Sequence, residues 1–268
     1  MGRNTKIDWA DATWNPVTGC LHGCEYCYAR RIADRFGLPY APKLGDPGME
    51  GAKKYDSDEA GMDTMLELEK PYKKNGRIQP YPMCFEPTFH RYRLDIPERW
   101  TRSRTIFVCS MADLFGEWVP DEWIKAVFDA CAAVPQHRYL FLTKNPKRYI
   151  DLANKDMLPR EHWYGYSATR QNQLWKFHHG GDCPCINLFV SIEPILEPVQ
   201  PYFSTHTPAD WVIIGAETGN RKGKIIPRKS WIENILMECE YSGRPVFMKE
   251  SLREIMGNDF RQEFPWEV

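Results

Sequence analysis

The sequence predicts an α/β fold: a (β/α)8-type barrel, complete or partial, with a long insertion after its first helix. Short apolar segments begin near positions 105, 138, 163, 187, 211 and 245, at intervals of 33, 25, 24, 24 and 34 residues, which is the spacing of βα units. Amphipathic helical patterns lie between most of these segments. An open, doubly wound parallel sheet is the structural alternative.

The predicted strands are rich in β-branched and aromatic residues, as in I-F-V-C, Y-L-F-L-T and W-V-I-I-G. Their apolar character is continuous rather than alternating, which is typical of parallel strands that are buried on both faces. Two further strands are predicted upstream, at 11–16 and 87–94. With these two, the chain has the eight strands that a closed barrel requires.

The predicted helices have recognisable ends. Pro120 and the two acidic residues after it open one helix, whose apolar positions recur at helical spacing as far as Cys131. Another begins near Lys229, and Gly243 lies just beyond its end. A shorter helix follows the cysteine-rich turn described below and ends at Gly37.

The whole chain, 1–268, is predicted to form a single domain, in which residues 37–83 form a polar insertion or a lid. This segment is rich in glycine, proline and charged residues, and it contains one helical candidate at 59–68. A connection of this length is uncommon in a compact domain unless it covers a site or is disordered.

Composition narrows the class of protein. The chain has 268 residues, is 43% hydrophobic and has a formal net charge of -1. It has neither an apolar run of about 18 residues, which a transmembrane helix needs, nor the apolar region of a secretory signal. We therefore expect a cytoplasmic protein that does not bind membranes. Any electrostatic match to nucleic acid must be a local patch.

Three of the nine cysteines, Cys20, Cys24 and Cys27, lie within eight residues of one another, and Gly19 and Gly23 mark a tight turn there. Thiolates at C-x3-C-x2-C spacing can reach one soft metal centre. A structural zinc ion takes four protein ligands. A four-iron cluster held by three cysteines instead keeps one iron open for a substrate or cofactor. The remaining single cysteines in apolar patterns are expected to be buried.

A second group of candidate ligands lies further along the chain. It consists of Cys183 and Cys185 with His178 and His179. Their irregular spacing favours a surface loop, and a zinc ion or a second cluster is the alternative.

The cysteine motif resembles that of the radical S-adenosylmethionine superfamily. The local form G-C-x3-C-x-Y-C-Y and the later motifs F-V-C-S-M-A-D, L-F-L-T-K and W-Y-G-Y-S resemble, in order, those of the spore photoproduct lyase branch. The longer pattern, from W-N-P-V-T-G-C to W-V-I-I-G-A-E-T-G and a terminal F-M-K, is similar to a phage-associated family of uncharacterised three-cysteine proteins.

The resemblance implies that the three cysteines hold a [4Fe-4S] cluster whose open iron binds S-adenosyl-L-methionine. Reductive cleavage of this cofactor would generate a 5′-deoxyadenosyl radical that abstracts hydrogen from a substrate. A protein electron donor such as flavodoxin or ferredoxin is implied as well. Cys109 lies one position from the place where the lyase branch carries its hydrogen-donating cysteine, and it is a catalytic candidate.

Polar side chains follow all six downstream strands, where barrel enzymes build their sites. They are Asp113, Lys144, Ser167, Glu193, Glu217 and Lys249. The predicted cofactor-binding residues are Tyr26, Tyr28, Ser110, Asp113, Lys144 and Ser167, with Lys144 opposite the methionine carboxylate. Glu193 and Glu217 are predicted to bind substrate or to transfer a proton. Ion pairs of these glutamates with Lys249 or Lys144 are the alternative.

The basic residues are local. Five of them, Arg221, Lys222, Lys224, Arg228 and Lys229, lie on the loop after Glu217. Nucleic acid or a nucleotide is therefore the leading substrate class, with modification or repair as the reaction. A peptide or small metabolite is the alternative substrate. A non-catalytic zinc- or iron-binding interaction module is the alternative function.

Overall fold

The computed structural model describes residues 5–54, 65–174, 187–203 and 207–267. The chain divides into two compact units. Ala12–Tyr139 form one, here called the cysteine unit, and Met1–Asp11 with Leu140–Val268 form the other, here called the C-terminal unit. The prediction that the chain is a single domain stays a prediction. No helix in the described ranges is long and apolar enough to cross a membrane.

The strands of the described residues are short. In chain order they are β1 (Ala12–Trp14), β2 (Val17–Thr18), β3 (Lys53–Lys54), β4 (Leu66–Leu68), β5 (Lys73–Lys74), β6 (Arg77–Ile78), β7 (Thr88–His90), β8 (Thr105–Val108), β9 (Arg138–Thr143), β10 (Trp163–Ala168), β11 (Asn187–Ile192), β12 (Trp211–Ile214) and β13 (Val246–Met248). The helices are α1 (Tyr28–Phe36), α2 (Asp121–Ala132), α3 (Lys147–Asn154), α4 (Lys229–Tyr241) and α5 (Arg253–Met256).

The main sheet has seven strands in the order β1-β8-β9-β10-β11-β12-β13. The paired strands whose register is defined run parallel, for example Ala12 opposite Ile106 and Phe189 opposite Trp211. Every residue of β8 and β12 is buried, as continuous apolar strands require. The α/β barrel prediction is confirmed in its partial form, with a curved, open parallel sheet.

The predicted barrel strand at 87–94 is wrong. Only Thr88–His90 form a strand, and the chain then enters a 3₁₀ turn at Arg91–Arg93. This strand, β7, pairs with β2 and β4 in a separate four-stranded sheet, in the order β2-β7-β4-β3. Local β-propensity therefore identified a strand but not its partners.

The helices pack as their apolar stripes predict. The first turn of α2 contains Asp121 and Glu122, and its buried face includes Trp123, Val127 and Cys131. The buried residues of α4 include Cys239.

The core of the C-terminal unit is aromatic. The Trp211 ring is fully buried, and its centroid lies 5.7 Å from that of Phe189 and 6.1 Å from that of Phe247. Trp9 packs against Trp211 at 6.4 Å, which accounts for the inclusion of the N-terminal residues in this unit. A Cβ at Gly165 would lie 2.3 Å from the Phe189 ring, so only glycine fits at that position of β10.

The described part of the 37–83 insertion belongs to the cysteine unit and has an apolar core of its own. The buried members are Met49, Leu66, Leu68, Tyr72 and Met83. The helix predicted at 59–68 is wrong at Leu66–Leu68, which form β4 and pair with β3 and β7. Residues 59–64 lie outside the described residues.

Candidate functional site

The cysteine loop, residues 19–27, joins β2 to α1. Gly19 has a φ of 89° and Gly23 a φ of 67°, which confirms the predicted turn. A Cβ at Gly19 would lie 2.2 Å from the backbone oxygen of Glu86, so this position requires glycine. The Gly19 amide donates to the Met111 carbonyl at 2.9 Å, and the Cys20 amide donates to the Phe85 carbonyl at 3.2 Å. The start of the loop is therefore attached to the segments after β8 and before β7.

The three cysteines of the loop are free and partly exposed. The Cys27 amide donates to the Cys24 carbonyl at 3.1 Å, and the Cys27 sulfur accepts a hydrogen bond from the Arg30 amide at 3.3 Å, at the N-terminus of α1. Burial raises the pKa of the Cys20 thiol to about 12, and nearby Asp113, Cys24 and Cys27 act in the same direction against a backbone hydrogen bond from His22. Binding a metal at Cys20 would therefore release a proton.

The donor set can be compared with the cluster that the sequence implies. Three cysteine thiols match a [4Fe-4S] cluster with one open iron in kind and number. Within the described ranges, no three or more His, Cys, Asp or Glu side chains are arranged to hold a metal ion. The residues therefore fit the cluster chemically, but the coordination geometry is not preassembled. Cys183, Cys185, His178 and His179 lie outside the described residues.

His22 connects the middle of the loop to the segment after β8. Its Nε2 lies 2.7 Å from Oδ2 of Asp113, whose other oxygen accepts the Phe115 amide at 3.0 Å. The His22 ring also meets the Trp118 ring edge-on, with centroids 4.9 Å apart. The described contacts of Asp113 attach the cysteine loop, and its predicted role in cofactor binding stays a prediction. Sequence reasoning missed His22 because its partner lies 91 residues away.

Asn15 is a second residue that sequence reasoning missed. Its side-chain oxygen accepts the Met111 amide at 2.9 Å and the Ser110 hydroxyl at 3.2 Å. The Tyr28 hydroxyl donates to the Ser110 carbonyl at 2.6 Å. The structure thus brings Tyr28 and Ser110 together beside the cysteine loop, and Tyr26 lies within the loop, half-buried. Their roles in cofactor binding stay predictions. The sequence feature that could have identified Asn15 is its position in the W-N-P motif.

Cys109 lies at the end of β8 with a φ of 58°, which is uncommon for a residue other than glycine. Only 2% of the residue is exposed. Burial raises the pKa of its thiol to about 12, although a backbone hydrogen bond involving Val17 and the charge of Arg93 lower it. The structure places this thiol inside the cysteine unit, and its role as a hydrogen donor stays a prediction.

Glu193 and Lys249 form an ion pair in the C-terminal unit. Their Oε1 and Nζ atoms lie 2.5 Å apart. Gly215 lies beside the pair, and a Cβ there would be 3.0 Å from Lys249 and 3.2 Å from Glu193. Burial lowers the pKa of Lys249, but the Glu193 carboxylate and the charge of Asp8 outweigh it and raise the pKa above its usual value. Lys249 is therefore charged at neutral pH.

Glu217 forms a two-point ion pair with Arg221. The Arg221 Nε and Nη2 atoms lie 2.6 and 2.8 Å from the two carboxylate oxygens. The side chain of Glu217 is 2% exposed and that of Arg221 is 25% exposed. Each predicted catalytic glutamate thus has a cationic partner. Their roles in proton transfer or substrate binding stay predictions.

Lys144 and Ser167 also lie in the C-terminal unit. Lys144 directly follows β9 and is half-buried, whereas Ser167 lies in β10, is buried, and stands opposite Ser191 of β11. Their predicted roles in cofactor binding are not decided by these placements.

The predicted basic loop is only partly available to a ligand. Arg221 is paired as described, and the Lys229 ammonium lies 2.7 Å from Asp259. The Arg228 guanidinium lies 6.0 Å from the Trp231 ring centroid. Lys222 and Lys224 are exposed.

Comparison with known proteins places the chain in a family without a known activity. No curated protein is significantly similar to it. A solved structure of spore photoproduct lyase complexed with dinucleoside spore photoproduct is 12% identical, with 87% of this chain and 75% of that chain covered and a TM-score of 0.45. A likeness of this degree carries no argument about the site or the activity.

The family model described as "Protein of unknown function (DUF5131)" matches residues 4–254. This match includes the cysteine loop and every polar side chain that follows a strand of the main sheet. The predicted association with phages stays a prediction. The chain therefore belongs to the DUF5131 family.

Proposed function

We propose that the chain is a radical S-adenosylmethionine enzyme whose [4Fe-4S] cluster is held by Cys20, Cys24 and Cys27. The observation that carries the proposal is the cysteine loop itself. It presents three free, partly exposed thiols at C-x3-C-x2-C spacing on a glycine-dependent turn. When bound, the cluster and S-adenosylmethionine would supply one-electron chemistry that generates a 5′-deoxyadenosyl radical.

The residues around the loop have a positioning role in this proposal. His22 and Asp113 hold the middle of the loop, and Asn15 holds the backbone at Ser110 and Met111. Because these contacts hold the loop in place, less movement is needed to bring its three sulfur atoms together. A cluster site is more precise when the residues behind its ligands are held by hydrogen bonds.

Nucleic acid or a nucleotide is the proposed substrate class. Two observations on the loop after Glu217 support it: Lys222 and Lys224 are exposed, and Arg228 lies over an aromatic ring. Glu193 and Glu217 are proposed to contact substrate or to transfer a proton, which would require each to separate from its cationic partner. A flavodoxin or ferredoxin is proposed as the electron donor.

Anaerobic purification and reconstitution test the cluster. We expect a brown protein with about four iron and four sulfide per chain, which releases 5′-deoxyadenosine from S-adenosylmethionine when reduced. A colourless protein that binds one zinc ion per chain would refute the proposal and favour the non-catalytic interaction module.

A matched control separates the loop from the other thiols. Cys131 and Cys239 are buried in α2 and α4, so alanine at either position should leave iron and sulfide unchanged. Alanine at any loop cysteine should remove them. Equal loss of iron in both sets would mean that the cysteine loop is not the cluster site.

A further inference from the structure

The β5–β6 hairpin carries an exposed group of positive charges in the cysteine unit. Lys73 pairs with Ile78 and Lys74 with Arg77 in antiparallel register. Asn75 and Gly76 connect the strands with φ values of 52° and 74°, and positive φ at both positions is the mark of a type I′ turn. The Gln79 amide closes the base of the hairpin on the Tyr72 carbonyl at 2.9 Å.

The positive charges of this hairpin destabilise it. All four strand residues are exposed, so the hairpin has little buried area of its own. An isolated two-stranded hairpin is at best marginally stable, and like charges directly opposite each other weaken it further. Lys74 lies directly opposite Arg77. Within the described ranges, none of the three cations of the hairpin forms an ion pair with a carboxylate.

Apolar and aromatic surface lies beside these charges. Tyr40 is 70% exposed, and the Lys74 ammonium lies 5.5 Å from the centroid of its ring. Ile78, at the end of β6, is 56% exposed. Exposed aromatic rings next to cations are typical of surfaces that bind single-stranded nucleic acid, because bases stack on the rings while cations contact phosphates.

We infer that the hairpin of residues 73–78, together with Tyr40, binds single-stranded nucleic acid. Lys73, Lys74 and Arg77 contact phosphates, and Tyr40 stacks on a base. The like-charge pair destabilises a hairpin that is already weak. Such a pair is expected where a ligand that is bound during function neutralises the charges. This inference rests on the nucleic-acid part of the proposed function and does not depend on the cluster. In contrast, the loop after Glu217 has two of its five cations in ion pairs.

The charge part of the inference is tested by salt dependence. Binding of a fluorescein-labelled oligothymidylate of about 12 nucleotides is measured by anisotropy on the full chain at several salt concentrations. The triple variant K73A/K74A/R77A should reduce the slope of log K against log salt by about two units, or about 0.7 for each phosphate that the variant no longer neutralises. Because the variant removes a repulsion, its melting temperature should not fall.

A matched control removes three positive charges elsewhere in the cysteine unit. Lys53, Arg99 and Lys125 are exposed and pair with Glu69, Asp95 and Asp129. The variant K53A/R99A/K125A has the same net charge as the hairpin variant and should keep the wild-type slope. If both triple variants lower the slope equally, the attraction is general and the inference is wrong.

Tyr40 tests the stacking part. Tyr40→Ala should weaken binding by about 5- to 150-fold without changing the salt slope, and Tyr40→Trp should retain the affinity. If wild type binds the oligonucleotide and neither Tyr40→Ala nor the hairpin variant alters binding, another surface is responsible and the inference is wrong. If wild type binds no oligonucleotide at low salt, the nucleic-acid proposal fails too. Iron and sulfide content would still decide the cluster proposal separately.

Discussion

Replacing Arg221 with alanine should destabilise the C-terminal unit by about 3 kcal/mol. The Glu217 side chain is 2% exposed and accepts two hydrogen bonds from Arg221, at 2.6 and 2.8 Å. Breaking a buried ion pair by removing one partner typically costs about 3–5 kcal/mol, because the remaining charge stays buried. The side chain of Arg221 is 25% exposed, which places the expected cost at the lower end of that range.

Urea unfolding followed by tryptophan fluorescence measures this cost, since the unit contains the buried Trp211. Lys222→Ala is the matched control. It removes an exposed neighbouring charge and should change the unfolding free energy by less than about 0.5 kcal/mol.

The outcome bears on function as well as stability. A loss of unfolding free energy below about 1 kcal/mol in Arg221→Ala would refute the reasoning, because exposed ion pairs contribute that much to stability. It would mean that the Glu217 carboxylate reaches water when Arg221 is absent, as an active-site carboxylate can. A cost near 3 kcal/mol would instead identify the pair as structural in the resting protein.

Three further predictions concern the cluster, the cofactor and pH. Alanine at any cysteine of the loop should abolish iron–sulfur absorbance and cleavage of S-adenosylmethionine, whereas Cys131→Ala should preserve both. Lys144→Ala should weaken S-adenosylmethionine binding by about 10- to 100-fold with the cluster intact, and unchanged affinity in a titration by electron paramagnetic resonance would mean that it does not bind the carboxylate. Burial, with Arg93 nearby, lowers the pKa of His90 well below 6.5. The unfolded chain therefore binds a proton that the native state does not, and stability should fall below pH 6.5 by up to about 1.4 kcal/mol per pH unit, a slope that His90→Gln should reduce.

The elements that the sequence predicted correctly depend on local patterns. The buried strands β8 and β12 consist of consecutive apolar residues, and the apolar positions of α2 recur at helical spacing. The strand β7 was located but assigned to the wrong sheet, because pairing of Leu66 with Thr88 joins residues that no local pattern connects. The core of the insertion was missed for the same reason.

In the candidate site, too, local contacts could be predicted from the sequence and long-range contacts could not. The Glu217–Arg221 pair spans only four residues, so its partners were both visible in the sequence, although Arg221 was assigned to phosphate binding. Glu193 and Lys249 are 56 residues apart, and their pairing was one of two alternatives. His22 was not considered a partner for Asp113 at all. Burial of Cys109 followed from its apolar surroundings, but its positive φ did not.

By itself, the sequence determined the turn that carries the three cysteines, the periods of the strands and helices, and the polar residues that end the strands. These properties depend on residues within about one turn or strand of each other, since backbone preference and burial pattern act over that range. Only the tertiary structure decided which cation meets which carboxylate and what holds the cysteine loop. Those contacts depend on distances in space between residues far apart in the chain, which hydrophobic burial brings together without any local signal.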